Sequence, residues 1–124
     1  MINVFSLFSG IGAFEKALGN LNVNYQIVGY CDFDKYASKC YSLIHNIPET
    51  MNSWDVNNVD FLTVEERVDL ITYGFPCQDI SLAGKGKGFW EKDEEGNYIL
   101  DENGNRKITR SGHFEQAARI INDY

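Results

Sequence analysis

The chain has 124 residues, enough for one domain or a piece of one, and at 44% hydrophobic it can bury a core, which excludes a disordered segment. Its formal charge of −7 is the wrong sign for a free-standing DNA binder, so any nucleic-acid contact must be local or supplied by another part of the protein. Cys31, Cys40 and Cys77 form no CxxC pair, which argues against structural zinc; no apolar run nears the roughly 18 residues of a membrane span, and three thiols without a secretion signal point to a reducing cytosol.

In chain order, Asn3 to Phe8 is short and apolar and reads as a buried strand. Ser9-Gly10-Ile11-Gly12 turns the chain into a helix from about Ala13 to Leu18, with Gly19 as its closing residue. Tyr25 to Tyr30 is a second strand, ending at Cys31-Asp32. Asp34 is placed to cap a helix running to about His45, with Tyr36, Ala37, Cys40, Tyr41 and Ile44 as its buried face. A short third strand is expected near Met51 to Val56. Thr63-Val64-Glu65-Glu66 fits a capping box for a short helix. Asp69 to Tyr73 is a further strand, ending at Gly74-Phe75-Pro76-Cys77.

This alternation predicts a parallel α/β sheet. Ser81 to Arg110 is then Gly-rich, charged and aperiodic, a polar stretch with few buried contacts in which residues 98–108 form a small hairpin. Helical spacing returns from His113 to Ile121 through Phe114, Ala117, Ala118 and Ile121. The sequence reads as having no internal repeats and no low-complexity tract. The chain reads as cut, because a strand should follow that helix.

Gly10-Ile11-Gly12 sits where a nucleotide-type cofactor binds in a doubly wound sheet, since glycines let the backbone approach the ligand. By itself Gly-x-Gly is equally a tight turn. Glu15 follows three residues after Gly12, where the dinucleotide fingerprint has its third glycine. That argues against NAD or FAD, and a carboxylate there repels phosphates while tolerating a sulfonium. Asp32 ends the second strand where an acidic side chain commonly holds ribose hydroxyls; the bland alternative, a helix cap, is already met by Asp34. Asp55 is the next acceptor in line for a purine amino group, although a lone turn aspartate is the commoner reading. Cys77 follows Pro76 at the carboxyl end of a strand and opens a polar loop, the setting of a nucleophile rather than of a core thiol. Cys31 and Cys40 read as inert core residues.

Together, Phe8-Ser9-Gly10-Ile11-Gly12, Asp32-Phe33-Asp34-Lys35-Tyr36-Ala37, Asp55-Val56, Asp69-Leu70-Ile71 and Gly74-Phe75-Pro76-Cys77-Gln78 resemble successive motifs of the DNA (cytosine-5)-methyltransferases, in order and spacing. Lys85-Gly86-Lys87-Gly88-Phe89 and Arg110-Ser111-Gly112 resemble the two ends of that family's mobile catalytic loop.

The resemblance implies a Rossmann-like α/β fold for S-adenosylmethionine-dependent methyl transfer, present here as the N-terminal half of its parallel sheet. Residues 1–80 would be the cofactor-binding strands and helices, 81–110 the mobile loop, and 111–124 the following helix. It implies that the Cys77 thiolate adds to C6 of a cytosine flipped out of double-stranded DNA, so that C5 becomes enamine-like and takes the methyl group. It further implies that Phe8 lies against adenine, Asp32 holds the ribose, and Asp55 with Val56 meets the adenine edge. Gly10, Ile11, Gly12, Phe33, Gly74 and Pro76 would complete the cofactor site, with Gln78, Ser81 and Arg110 on the DNA side.

Ala13 stands where many members have a second glycine, and residues 90–109 lengthen the loop. The family's Glu-Asn-Val motif, whose glutamate engages N3 of cytosine, does not occur in the sequence, nor does the recognition region. The chain is therefore expected to be inactive alone and to need a C-terminal segment or a complementary chain, in a bacterial or phage-infected cell and of restriction–modification type. The alternative is a non-catalytic S-adenosylmethionine-binding remnant or regulatory module.

Overall fold

A computed structural model describes residues 1–76, 81, 83 and 86–123. Three strands, β1 (Ile2–Leu7), β2 (Tyr25–Cys31) and β3 (Leu70–Tyr73), form a parallel sheet in the order β2-β1-β3. Helix α1 (Ala13–Asn20) joins β1 to β2, and α2 (Lys35–His45) follows β2. Val4, Phe5, Ser6 and Leu7 of the central β1 are all buried, as expected of a strand paired on both sides and covered by helices. The expected incomplete Rossmann-like fold is what forms, and β3 has a single strand neighbour among the described residues.

Asp34 caps α2 as expected, its Oδ1 accepting from the N–H groups of Tyr36 and Ala37 at 2.8 and 2.9 Å. The face that α2 buries is only in part the expected one, with Tyr41 held as expected. Ser38 and Tyr41 are fully buried, while Tyr36, Cys40 and Ile44 are exposed. The serine wins the interior because its hydroxyl has polar partners there, including the Tyr30 hydroxyl at 2.9 Å. Cys40 is thus a surface thiol and not a core residue.

Helix α1 runs through Gly19 to Asn20, so Gly19 does not close it. At Gly29 an added Cβ would lie 2.4 Å from the Phe5 ring, so glycine is required where β2 shifts register against β1 between Val4 and Phe5.

The third expected strand is reduced to one bridge, Asn52 with Tyr30. Short 3-10 turns at Glu49–Met51 and Val56–Asn58 flank it, and Trp54 adopts a φ of 61° that no strand tolerates. The capping box at Thr63 is also corrected. Asp60 caps a 3-10 turn at Phe61–Thr63 by accepting from the Leu62 N–H, and no helix follows.

The chain divides into two compact units, Met1–Gly74 with Arg119–Tyr124, and Phe75–Ala118. Within the second, residues 90–108 form a closed three-segment antiparallel unit in which each segment bridges both others, through Trp90–Ile108, Lys92–Tyr98 and Leu100–Arg106. Its two turns are a short repeat eight residues apart, Asp-Glu-Glu-Gly-Asn and Asp-Glu-Asn-Gly-Asn, which corrects the expectation of no internal repeat. In each, the first aspartate accepts N–H bonds from residues two and four ahead, and glycine takes positive φ. The Arg106 guanidinium lies 4.1 Å from the Tyr98 ring centroid and 5.4 Å from that of Trp90, giving this charged stretch packing that its composition does not announce.

A 3-10 turn at Ser111–His113 leads into α3 (Phe114–Asp123). Of the residues at helical spacing, Ala117 is buried, together with Ile120, whereas Phe114, Ala118 and Ile121 are exposed.

Candidate active site

The carboxyl ends of β1 and β2 lie side by side, because Leu7 pairs with Cys31. Strand β1 leads into a turn with constrained backbone. Phe8 has φ 51°, Gly10 φ 55° and Gly12 φ 83°. For a bulky residue such as Phe8 the left-handed conformation costs roughly 1–2 kcal/mol, a strain that the surrounding hydrogen bonds must hold in place. Trp54, also left-handed, stands just before Asp55.

Asp32 locks the glycine turn to the end of β2. Its Oδ2 accepts from the Gly10 N–H at 2.7 Å and its Oδ1 from the Asp34 N–H at 2.9 Å. A carboxylate has about four acceptor positions, so two remain for a ligand's hydroxyls. Asp55 uses Oδ1 to accept from the N–H and the amide of Asn57, leaving Oδ2 without a partner among the described residues. A Cβ added at Gly10 would meet nothing within 4 Å, so the backbone there borders open space. These acceptors fit a ligand bearing a vicinal diol.

Gly12 is crowded instead. A Cβ there would lie 1.9 Å from Nε2 of His45 and 2.8 Å from Tyr41. His45 Nε2 sits 3.1 Å from the Ile11 carbonyl and bonds to it as an N–H donor, bracing the turn from α2. Glu15 is wholly buried, with Oε1 3.2 Å from the Thr72 hydroxyl, which in turn lies 2.9 Å from that of Ser6. Its carboxyl group therefore belongs to the packing of α1 on the sheet rather than to a wall of the crevice. Burial, and then the nearby Glu15, pushes the Tyr41 phenol upward. Burial also pushes the Cys31 thiol up to about 12, with the charges of Asp32 and Asp55 adding to it, so Cys31 is inert as expected.

Of the other expected site residues, Ile11 and Phe33 are exposed, at 58% and 82%, beside the turn and after Asp32. The Val56 side chain is buried, so any ligand contact there falls to its main chain. Gly74 is exposed after β3, Pro76 and Ser81 are half-buried, and Arg110 is exposed. Cys77, Gln78 and Lys85 lie outside the described residues. Gly112 is required structurally, since a Cβ there would meet the Phe89 carbonyl at 2.4 Å. The sequence reading missed Asn52 and Ser38 altogether. Both are buried polar residues in the wall behind Asp32, and short-range periodicity carries no signal for such roles.

A cleft of about 570 Å³ bordered by Lys16, Tyr25, Gln26, Ile47 and His45 lies toward the amino end of β2. Among the described residues no helix is long and apolar enough to cross a membrane, and no group of His, Cys, Asp and Glu is arranged to hold a metal ion.

The chain is similar to the orphan methyltransferase M.SPRI of Bacillus phage SPR, with 42% identity covering 98% of this chain and 27% of that protein. It is 33% identical to the type II methyltransferase M.HhaI of Haemophilus parahaemolyticus over 81% of this chain and 28% of that one. It thus spans about a quarter of the length of these relatives. The crystal structure of Schizosaccharomyces pombe Dnmt2 methyltransferase shares the fold, with a TM-score of 0.64 at 24% identity over 99% of this chain and 32% of that one. The family model of C-5 cytosine-specific DNA methylases matches residues 2–101. The chain therefore belongs to the C-5 cytosine-specific DNA methylase family.

Proposed function

We propose that the chain is the cofactor-binding and nucleophile-bearing part of an enzyme that methylates C5 of cytosine in DNA. The observation that carries this reading is the joining of Gly10 to Asp32 by a 2.7 Å hydrogen bond beside open space. It supports S-adenosylmethionine as ligand, and not a dinucleotide, because the acidic group is fixed at the turn where a pyrophosphate would have to sit. Asp32 would accept from the ribose hydroxyls, Asp55 Oδ2 and the Val56 main chain would meet the adenine edge, and Phe8 would lie against its face. Gly10, Ile11 and Gly12 would form the floor, and Phe33, Gly74 and Pro76 its borders. When bound, the cofactor supplies an electrophilic methyl group.

On the DNA side, the Cys77 thiolate would add to C6 of a flipped cytosine, making C5 nucleophilic. Loss of the C5 proton after methylation would then expel the thiolate and restore the ring. Gln78, Ser81 and Arg110 would contact the DNA, and the segment 81–110 would act as the closing loop. The chain would need a complementary segment: it has a charge of −7 and no Glu-Asn-Val to steady N3.

The test is a chimera in which this chain replaces the matching segment of the phage SPR relative, assayed for transfer of tritiated methyl groups to DNA. Transfer that vanishes in Cys77→Ser is the expected result, with none from the isolated chain. Transfer that survives Cys77→Ser would remove Cys77 from the mechanism. The second reading, a regulatory module, predicts cofactor binding without transfer in the chimera.

A further inference from the structure

Asn52 is 6% exposed and its amide makes four hydrogen bonds, the most that an amide of this kind usefully forms. Oδ1 accepts from the main-chain N–H of Asp32 at 3.1 Å and of Trp54 at 2.8 Å. Nδ2 donates to the Asp32 carbonyl at 2.9 Å and to the Ser38 hydroxyl at 3.0 Å. The orientation of the amide follows from its partners, because the Asp32 N–H can only donate and its carbonyl only accept. Ser38 then accepts from Asn52 and Tyr30 and donates to Oε1 of Glu49 at 3.2 Å, so every proton in the group is assigned.

Residue 32 lies just beyond the end of β2, and Asn52 gives its main chain the donor and the acceptor that a neighbouring strand would otherwise give. The same amide holds Trp54 at its left-handed φ of 61°, which directs the chain into Asp55. One side chain therefore fixes both the residue carrying the first carboxylate and the turn carrying the second. We propose that Asn52 is a positioning residue for cofactor recognition, setting Asp32 to accept from a ribose diol and Asp55 to meet the base. This inference rests on the reading of Asp32 and Asp55 as cofactor ligands.

The experiment compares binding of S-adenosylhomocysteine and its 2′,3′-dideoxy analogue by calorimetry, in the wild-type chain, Asp32→Ala, Asn52→Ala and Asn52→Asp. The ratio of the two dissociation constants reports recognition of the diol and is unmoved by a general loss of folded protein. Hydrogen bonds to a charged acceptor make a ratio of about tenfold or more the expectation for wild type. Asp32→Ala should bring that ratio to within about threefold of unity. Asn52→Ala should do the same, although residue 32 keeps its carboxylate. Asn52→Asp has the shape of the native side chain but cannot donate to the Asp32 carbonyl or to Ser38 when ionised, and should also lose the ratio.

A wild-type ratio near one, or one preserved in Asp32→Ala, would overturn the cofactor reading itself. A ratio lost in Asp32→Ala but kept in both folded Asn52 variants would overturn only the role of Asn52. So would failure of both Asn52 variants to fold, since Asn52 would then be a residue of the core alone.

Discussion

Gly10 and Gly12 both have positive φ, but alanine should affect them very differently. At Gly12 the added methyl falls 1.9 Å from His45 Nε2 and 2.8 Å from Cε2 of Tyr41. Tyr41 is fully buried and has nowhere to retreat, so the His45 ring must swing away and release the Ile11 carbonyl. Left-handed backbone costs an alanine roughly 1–2 kcal/mol, the lost hydrogen bond roughly 0.5–1.5 and the overpacking roughly 1–3. The sum of about 2.5–6.5 kcal/mol is a large share of the roughly 5–15 kcal/mol that holds a domain folded. At Gly10 nothing lies within 4 Å, so only the backbone cost of roughly 1–2 kcal/mol applies. Urea unfolding followed by circular dichroism measures both. The ligand experiment then reverses the order of interest. Gly10→Ala should stay folded yet bind S-adenosylhomocysteine about tenfold more weakly, because its methyl enters the proposed cofactor space. Unchanged affinity in Gly10→Ala, or a Gly12→Ala as mild as Gly10→Ala, would refute this reasoning.

Other outcomes follow from the thiols and from residues 90–108. In the unfolded chain Cys31 ionises near its ordinary value of 9.0, whereas in the folded protein it stays protonated up to about 12. Its contribution to stability is therefore complete below pH 9 and lost as pH rises toward 12, and Cys31→Val should flatten that decline in alkaline urea titrations; an unchanged slope would contradict it. In a Cys77→Ser background, iodoacetamide should alkylate the exposed Cys40 in the native chain and reach buried Cys31 only after denaturation, as peptide mass mapping will show. Equal labelling of both in the native state would contradict the burial difference. Arg106→Ala should weaken the three-segment unit by about 1 kcal/mol and speed amide exchange over residues 90–108 while leaving β1 protected.

Local rules carried much of the fold. The apolar run at β1 and the Asp34 cap specify their elements through nearest neighbours, and the structure follows them. The buried faces of α2 and α3 were harder, because hydrophobic spacing treats Cys40 or Phe114 as interior. The sheet instead takes Ser38, whose hydroxyl meets Tyr30, Glu49 and Asn52. The same long-range polar group replaces the expected strand near residue 52, since a side-chain amide does there what a ladder would have done. Asp32 was legible as a site candidate because its strand-end position is a pattern in sequence. The residue bracing it, Asn52, stands 20 positions away and has no such pattern.

The central proposal is that Cys77 attacks C6 of cytosine. Fluorine at C5 cannot depart as the proton does, so DNA carrying 5-fluorocytosine should trap the thiol adduct after methylation. The measurement is denaturing electrophoresis of the chimera with labelled 5-fluorocytosine duplex and S-adenosylmethionine. The account predicts a covalent protein–DNA band in the wild-type sequence that peptide mapping assigns to Cys77, and its loss in Cys77→Ser. A chimera that methylates ordinary DNA yet forms no such band, or forms it through another residue, would contradict the account.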